Sequence, residues 1–322
     1  MTRPFTSEEA FLAAIDERFP NIHPHMILGR GDDCAILRFP QAAVLTTDLF
    51  IEDVHFRRAY FTPEDAGYKA LAVNLSDIAA MGGQALGFSL GLAGPPGTPA
   101  AFWEGVLDGL AALAKDVDLP LTGGDLNACA KIVLAVTVWG QAGPSGRLLR
   151  RKTCLAGDVL FTAGELGLAK VGLSLLEEFG QEAAADWPQA VAALLRPRIR
   201  LAQGLALAGQ ERVRGLMDVS DGLARDLPRF IGPELGASLT MEPESLPPEV
   251  LRRAGDLGLD PAGLAVTGGE DYALLGSCSP EDFGALRKAL PYVRAIGRVT
   301  AKPGLELNGR PFTSAGFDHF QK

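Results

Sequence analysis

Acidic residues recur where apolar runs end. The stretch from Gly31 to Asp48, GDDCAILRFPQAAVLTTD, sets the pattern. Asp32 and Asp33 follow a glycine, a short apolar run and a Pro-containing turn come next, and a second apolar run ends in Thr46-Thr47-Asp48. The spacing predicts a β-hairpin with carboxylates at one end and a hydroxyl pair feeding a third acid. Asp77, Asp125, Asp218, Asp221, Glu270 and Asp271 stand in comparable positions later in the chain. Singly, an Asp after a strand is a helix cap or an Asx-turn, and Asp221, just before Gly222, suits a cap. As a set the acids ask for more. Two carboxylates about 4 Å apart repel by ~4 kcal/mol at an effective dielectric near 20, so a cluster takes up protons or binds cations. Oxygen ligands without Cys or His partners favour Mg²⁺ or Ca²⁺, and Mg²⁺ commonly bridges carboxylates to substrate phosphates. The expectation is that these stations converge on metal-bound phosphates.

Other features narrow the chemistry. Gly123-Gly124 and Gly268-Gly269 precede acids and would let backbone N–H groups approach an anion. No P-loop, no kinase H-R-D and no H-E-x-x-H occurs. His55 lies seven residues past Asp48, near enough in sequence for either a ligand contact or a place in the core. Arg147, Arg150, Arg151 and Lys152 form a basic run that is either solvated or a phosphate clamp.

The elements that must position these residues follow from pattern. Thr6 and Glu9 make a capping box for a helix over 6–19. Strands are expected at Cys34–Phe39 and Ala42–Thr47, and Thr62-Pro63 starts a helix that ends at Gly82-Gly83. A strand over Ala85–Leu92 and a helix from Thr98-Pro99 follow. A strand over Leu119–Thr122 leads into Gly123-Gly124-Asp125, and Ile132–Trp139 forms another. After a Gly- and Arg-rich stretch over 140–157, strands and helices alternate again. They include one helix over 188–209 and a hairpin at Asn308-Gly309. The class is α+β or mixed α/β in two domains, 1–143 and 144–322.

Composition agrees. The 322 residues suffice for two cores, with 47% hydrophobic and 21% charged residues. A net charge of −9 without a basic block argues against nucleic acid. The four cysteines are scattered and suit a reducing compartment. The N-terminus lacks a signal peptide's apolar core, and residues 78–103 are uncharged but broken by glycines and Pro95-Pro96, so a cytoplasmic, non-membrane protein is expected.

The segments GDDCAIL, TTDLFIEDVHF, YKALAVNLSDIAAMGG, GGD, MDVSDGLARDL, TGGEDYALL and GFDHF occur in order from residue 31 to 320. Together they resemble the thiamine-monophosphate kinases, a family related to aminoimidazole ribonucleotide synthetase and selenophosphate synthetase. The resemblance implies ATP-dependent phosphorylation of thiamine monophosphate to thiamine diphosphate, by direct in-line transfer with several Mg²⁺ ions. It implies Asp33, Thr46, Thr47, Asp48, Asp77, Asp125, Asp218 and Asp221 as metal ligands, with Asp48 and Asp77 the main catalytic bridges. Gly124, Asp125, Arg151 and Ser220 fall where the family contacts ATP, and His55, Glu270 and Phe317 where it contacts thiamine phosphate. Phe317 stands where a hydroxyl-bearing aromatic is frequent, and Leu126 where a threonine is. The implied architecture is an N-terminal domain that dimerises through its sheet, a C-terminal α/β domain, and an active site in the cleft between them. Two rival functions are a sister ATP-using enzyme, disfavoured because the only early cysteine, Cys34, falls in an expected strand after Asp33, and a non-catalytic nucleotide-binding protein, disfavoured by intact acids at every station.

Overall fold

A computed structural model describes residues 8–28, 36–39 and 42–313. The chain divides into two compact units, one of Met1–Ile78 with Gln84–Ala142 and one of Ala79–Gly83 with Gly143–Lys322.

The first unit follows the order α1 (Glu8–Arg18), β1 (Met26–Leu28), β2 (Ile36–Leu37), β3 (Ala43–Ile51), α2 (Pro63–Ala80), β4 (Gly83–Gly94), α3 (Ala100–Asp116), β5 (Leu121–Ala128) and β6 (Val133–Ala142). Its main sheet has the order β3-β6-β4-β5, antiparallel between β3 and β6 and parallel between β4 and β5. Leu71, Leu75 and Ile78 of α2, Phe88 of β4, Val106, Leu107 and Leu110 of α3, and Val136 and Val138 of β6 are fully buried. Each such side chain contributes about 1.5–3 kcal/mol on leaving water.

The cap of α2 is reciprocal. Asp65 N donates to Thr62 Oγ1 and Thr62 N donates to Asp65 Oδ2, at 3.1 and 3.3 Å. Asp65 therefore closes a capping box. Helices α2 and α3 approach backbone to backbone: a Cβ on Gly67 would stand 1.9 Å from Val106 O, and one on Gly109 would stand 2.0 Å from Glu64 O. These glycines are what allow α2 its place.

Two expectations fail here. Among the described residues the runs at 34–39 and 42–47 are not paired with each other: β2 pairs with β1, and β3 pairs along its whole length with β6. Nine consecutive pairs with a distant strand outweigh a short local turn. Gly123-Gly124-Asp125 is not a post-strand turn either, because β5 continues through it to Ala128. Gly124 is required by close packing, since a Cβ there would stand 2.0 Å from Leu90 O.

The second unit follows β7 (Val159–Ala163), α4 (Leu168–Phe179), α5 (Pro188–Leu195), α6 (Leu201–Ala208), β8 (Val213–Val219), α7 (Leu223–Ile231), β9 (Gly236–Leu239), α8 (Pro248–Leu257), α9 (Pro261–Val266), β10 (Ala273–Cys278), α10 (Pro280–Ala289), β11 (Val293–Thr300), β12 (Gly304–Leu307) and β13 (Arg310–Phe312). The single helix expected over 188–209 is two, because Pro197 cannot continue α5. The sheet order is β13-β12-β9-β11-β7-β10-β8, with β12 parallel to β9 and the other registered pairs antiparallel. Phe161, Leu216, Leu274, Leu286 and Val293 lie in its core, joined by Ala79 and Ala80 from the end of α2. The β12–β13 turn has positive φ at both Asn308 and Gly309, as a type I′ turn requires.

Candidate active site

Strand alternation sorts the first group. Val44, Thr46 and Asp48 share one face of β3, while Leu45, Thr47 and Leu49 take the more exposed face. Helix α2 presents Asp77 to the first face, where Thr46 Oγ1 donates to Asp77 Oδ2 at 2.5 Å. Burial, then the charge of Asp77, pushes the Asp48 carboxyl up to about 6. Two carboxylates and a hydroxyl are thus brought together at a cost to the charged form. A divalent cation relieves that cost, and a donor set of hard oxygens suits Mg²⁺. These residues fit the ion. Among the described residues no group of three or more His, Cys, Asp or Glu side chains is gathered for a metal, so the pair is a partial site.

Thr47 is not part of the group through its side chain. Its hydroxyl is turned to the opposite face, 2.9 Å from Thr137 Oγ1 and 3.2 Å from Val136 O. Asp125 is exposed on β5, three strands from Asp48 in the sheet order, about 14 Å along the sheet. Gly124 beside it is also exposed. Neither Gly123-Gly124 nor Gly268-Gly269 has the positive φ of an anion nest. Asp32, Asp33, Cys34 and Phe317 lie outside the described residues.

His55 follows β3 and stacks on Phe50 with ring centroids 5.7 Å apart. Its Nδ1 accepts from Ile51 N at 3.0 Å, so in the neutral ring the proton sits on Nε2.

In the second unit, Asp218 is buried near the end of β8. The turn after it is fixed from two sides. Ser220 N and Asp221 N both donate to Asp226 Oδ2 at 2.9 Å. Glu270 N donates to Ser220 O at 2.7 Å, and Tyr272 N to Val219 O at 2.9 Å. Asp221 is not the cap of α7, whose N-cap is Gly222 without a side-chain bond. Its carboxylate instead takes Arg229 Nη1 at 2.6 Å. Burial, chiefly, pushes the Asp226 carboxyl above the usual carboxylate range, with its two N–H donors opposing.

Glu270 and Tyr272 both have left-handed backbones, φ 66° and 47°, uncommon for side chains of their size. Between them Asp271 turns inward and accepts from Gly167 N and Ala169 N at 2.8 and 3.4 Å, at the start of α4. Asp271 is therefore an anchor and not a metal station. Burial pushes its carboxyl up to about 8, against those two donors and Arg200. The α4 N-terminus, an obvious place for a phosphate, already holds this carboxyl.

The basic run divides. Arg147 donates to the carbonyls of Ala208, Gln210 and Val213 at 2.7–3.1 Å and is structural. Arg151 is exposed. Sequence reasoning missed Asp226 and Arg229. Their signal was present in DGLARDLPR, where helical spacing sets Arg229 one turn beyond Asp226.

Comparison with known proteins adds the context. Residues 31–142 match the AIR synthase related protein N-terminal domain and residues 156–310 match the corresponding C-terminal domain. A thiamine-monophosphate kinase of Synechococcus elongatus is 36% identical over 90% of this chain and 91% of its own. The crystal structure of thiamine-monophosphate kinase from Stenotrophomonas maltophilia K279a superposes with a TM-score of 0.82 at 30% identity, covering 95% of this chain and 98% of that one. AaThiL complexed with AMPPCP and TMP gives a TM-score of 0.76 at 26% identity, over 97% of both chains.

Proposed function

Because the chain belongs to the thiamine-monophosphate kinase family of the AIR synthase related proteins, we propose that it transfers the γ-phosphoryl group of ATP to thiamine monophosphate, giving thiamine diphosphate and ADP. The observation that carries this reading is the Thr46–Asp48–Asp77 group, a carboxylate pair whose charge is raised in cost by burial and proximity. A phosphate oxygen is already anionic, so the acceptor needs no strong base, and no Ser-His or Cys-His pair is called for. The work is positioning and charge neutralisation.

Asp48 and Asp77 would hold Mg²⁺, with Asp218 and Asp221 holding further ions from the second unit. When bound, Mg²⁺ would supply charge neutralisation to the phosphates. Thr46 holds the Asp77 carboxylate in place through its hydroxyl. Gly124, Asp125, Arg151 and Ser220 are the proposed ATP contacts, and the bond from Glu270 N to Ser220 O ties one of them to the substrate loop. Glu270 would meet thiamine phosphate from a backbone held in the left-handed region. His55 would offer Nε2 as a donor.

The protein is further read as a cytoplasmic homodimer that pairs through the outer face of its N-terminal sheet. No helix among the described residues is long and apolar enough to cross a membrane. Leu45 and Leu49, 69% and 55% exposed, flank Thr47 on that outer face. The test of function is ADP release by purified protein with ATP and Mg²⁺. Release that requires thiamine monophosphate is expected. Release only with a ribonucleotide amide, or tight ATP binding without turnover of any acceptor, would overturn the reading.

A further inference from the structure

Both main-chain groups of Ser220 are engaged. Its N–H donates to Asp226 Oδ2 at 2.9 Å, and its carbonyl accepts from Glu270 N at 2.7 Å. The hydroxyl of this half-buried residue is the group left to meet a ligand. The same Asp226 oxygen takes Asp221 N at 2.9 Å, and Arg229 Nη1 stands 3.0 Å from the other oxygen. Asp226 is fully buried, in the first turn of α7. Burial of a carboxylate is costly unless it is well bonded. Here two of its bonds go to N–H groups that precede the helix, while the helix's own N-cap, Gly222, has no side-chain bond. The carboxylate thus serves the turn and not the helix. On its other side the turn packs main chain against main chain: a Cβ on Gly269 would stand 3.0 Å from Ser220 O, and one on Gly222 would stand 3.0 Å from Gly268 O.

We infer that Asp226 is a positioning residue for the nucleotide: its carboxylate fixes the main chain of Ser220, and so the direction in which the Ser220 hydroxyl meets a nucleotide oxygen. The inference rests on the reading of Ser220 as an ATP contact, and adds which atom makes the contact and what aims it. A serine has one torsion between its main chain and its oxygen, so the hydroxyl follows the main chain that carries it. Asp226 accepts two successive N–H groups and Glu270 N closes the opposite side, so the turn is ordered before the nucleotide arrives and binding does not bear that entropy. Removal of the carboxylate leaves two N–H groups without their acceptor and frees the turn, although the hydroxyl itself remains.

The experiment is calorimetric titration of the full chain with AMPPCP in the presence of Mg²⁺, for the wild type, Ser220→Ala, Asp226→Ala and the double variant. Ser220→Ala should weaken AMPPCP about tenfold, as loss of one hydrogen bond to a ligand does. Asp226→Ala should weaken it by a similar factor, and the double variant should be little weaker than either, because both changes remove the same contact. Asp226→Asn keeps one oxygen able to accept both N–H groups and should stay within about threefold of wild type. Leu227→Ala, at a fully buried position of the same helix, should lower the thermal midpoint and leave AMPPCP affinity unchanged. Wild-type affinity in Asp226→Ala, an additive double variant, or a loss in Asp226→Asn or Leu227→Ala as large as in Asp226→Ala overturns the positioning role and leaves Ser220 a contact. Wild-type affinity in Ser220→Ala overturns the reading of Ser220, and this inference with it. Asp226→Leu, close to Asp in shape and suited to an apolar surrounding, repeats the test should the Ala variant lose its thermal transition.

Discussion

Asp48 illustrates how a site residue works against the fold that carries it. Its carboxyl is lifted from an ordinary 3.8 to about 6, so at neutral pH the ionised form is held at a cost. Asp48→Asn removes that cost. In the absence of Mg²⁺ the variant should be more stable than wild type by on the order of 1 kcal/mol, after allowance for its partial exposure, in denaturant titration. Its turnover should fall roughly a hundredfold or more, with circular dichroism unchanged. Near-normal turnover at saturating Mg²⁺ would remove Asp48 from the mechanism. Much at this scale was legible in the sequence. Asp48 and Asp77 read as stations because each follows an apolar run, and the structure sets them near each other. Asp271 reads the same way yet anchors α4, because sequence shows that an acid ends a run but not which way its side chain turns. Thr47 was drawn in by adjacency to Asp48, and strand alternation sends its hydroxyl to the other face.

Elements decide where these side chains stand. Asp77 reaches β3 because α2 sits close against α3 through Gly67 and Gly109. Gly109→Ala would push a methyl into Glu64 O and should cost about 2–3 kcal/mol in stability, with turnover lost in proportion as Asp77 shifts. A variant of wild-type stability would show that the helices can part without penalty. The loop at Asp271 has its own pH signature. Its carboxyl is at about 8 in the folded chain and 3.8 in an unfolded one, so between these values the folded chain keeps a proton that the unfolded chain releases. The stabilising contribution is full below about 4 and falls away as pH rises towards about 8. The stability of wild type relative to Asp271→Asn should therefore fall from pH 5 to pH 8, and a constant difference would mean that Asp271 is ionised throughout. Helix starts were legible from Thr62-Pro63 and from Thr98-Pro99. The partner of β3 was not, since pairing with β6 is a contact of long range that no local turn signal encodes.

At the scale of the molecule, the sequence motifs, the two matched domains and the solved relatives agree on two α/β units with mixed sheets. The outer face of the first sheet carries leucines that water does not favour. The proposed dimer should dissociate on Leu45→Glu with Leu49→Glu, read by sedimentation, and a wild-type chain that sediments as a monomer, or a coefficient unchanged in the variant, would contradict pairing through this face. The account depends most on direct transfer of phosphoryl from ATP to thiamine monophosphate. Incubation with ATP labelled at the γ-phosphate, Mg²⁺ and thiamine monophosphate should place the label in the terminal phosphate of thiamine diphosphate, one equivalent per ADP, with none on the protein. Label released as inorganic phosphate, or carried only to a ribonucleotide acceptor, would contradict it.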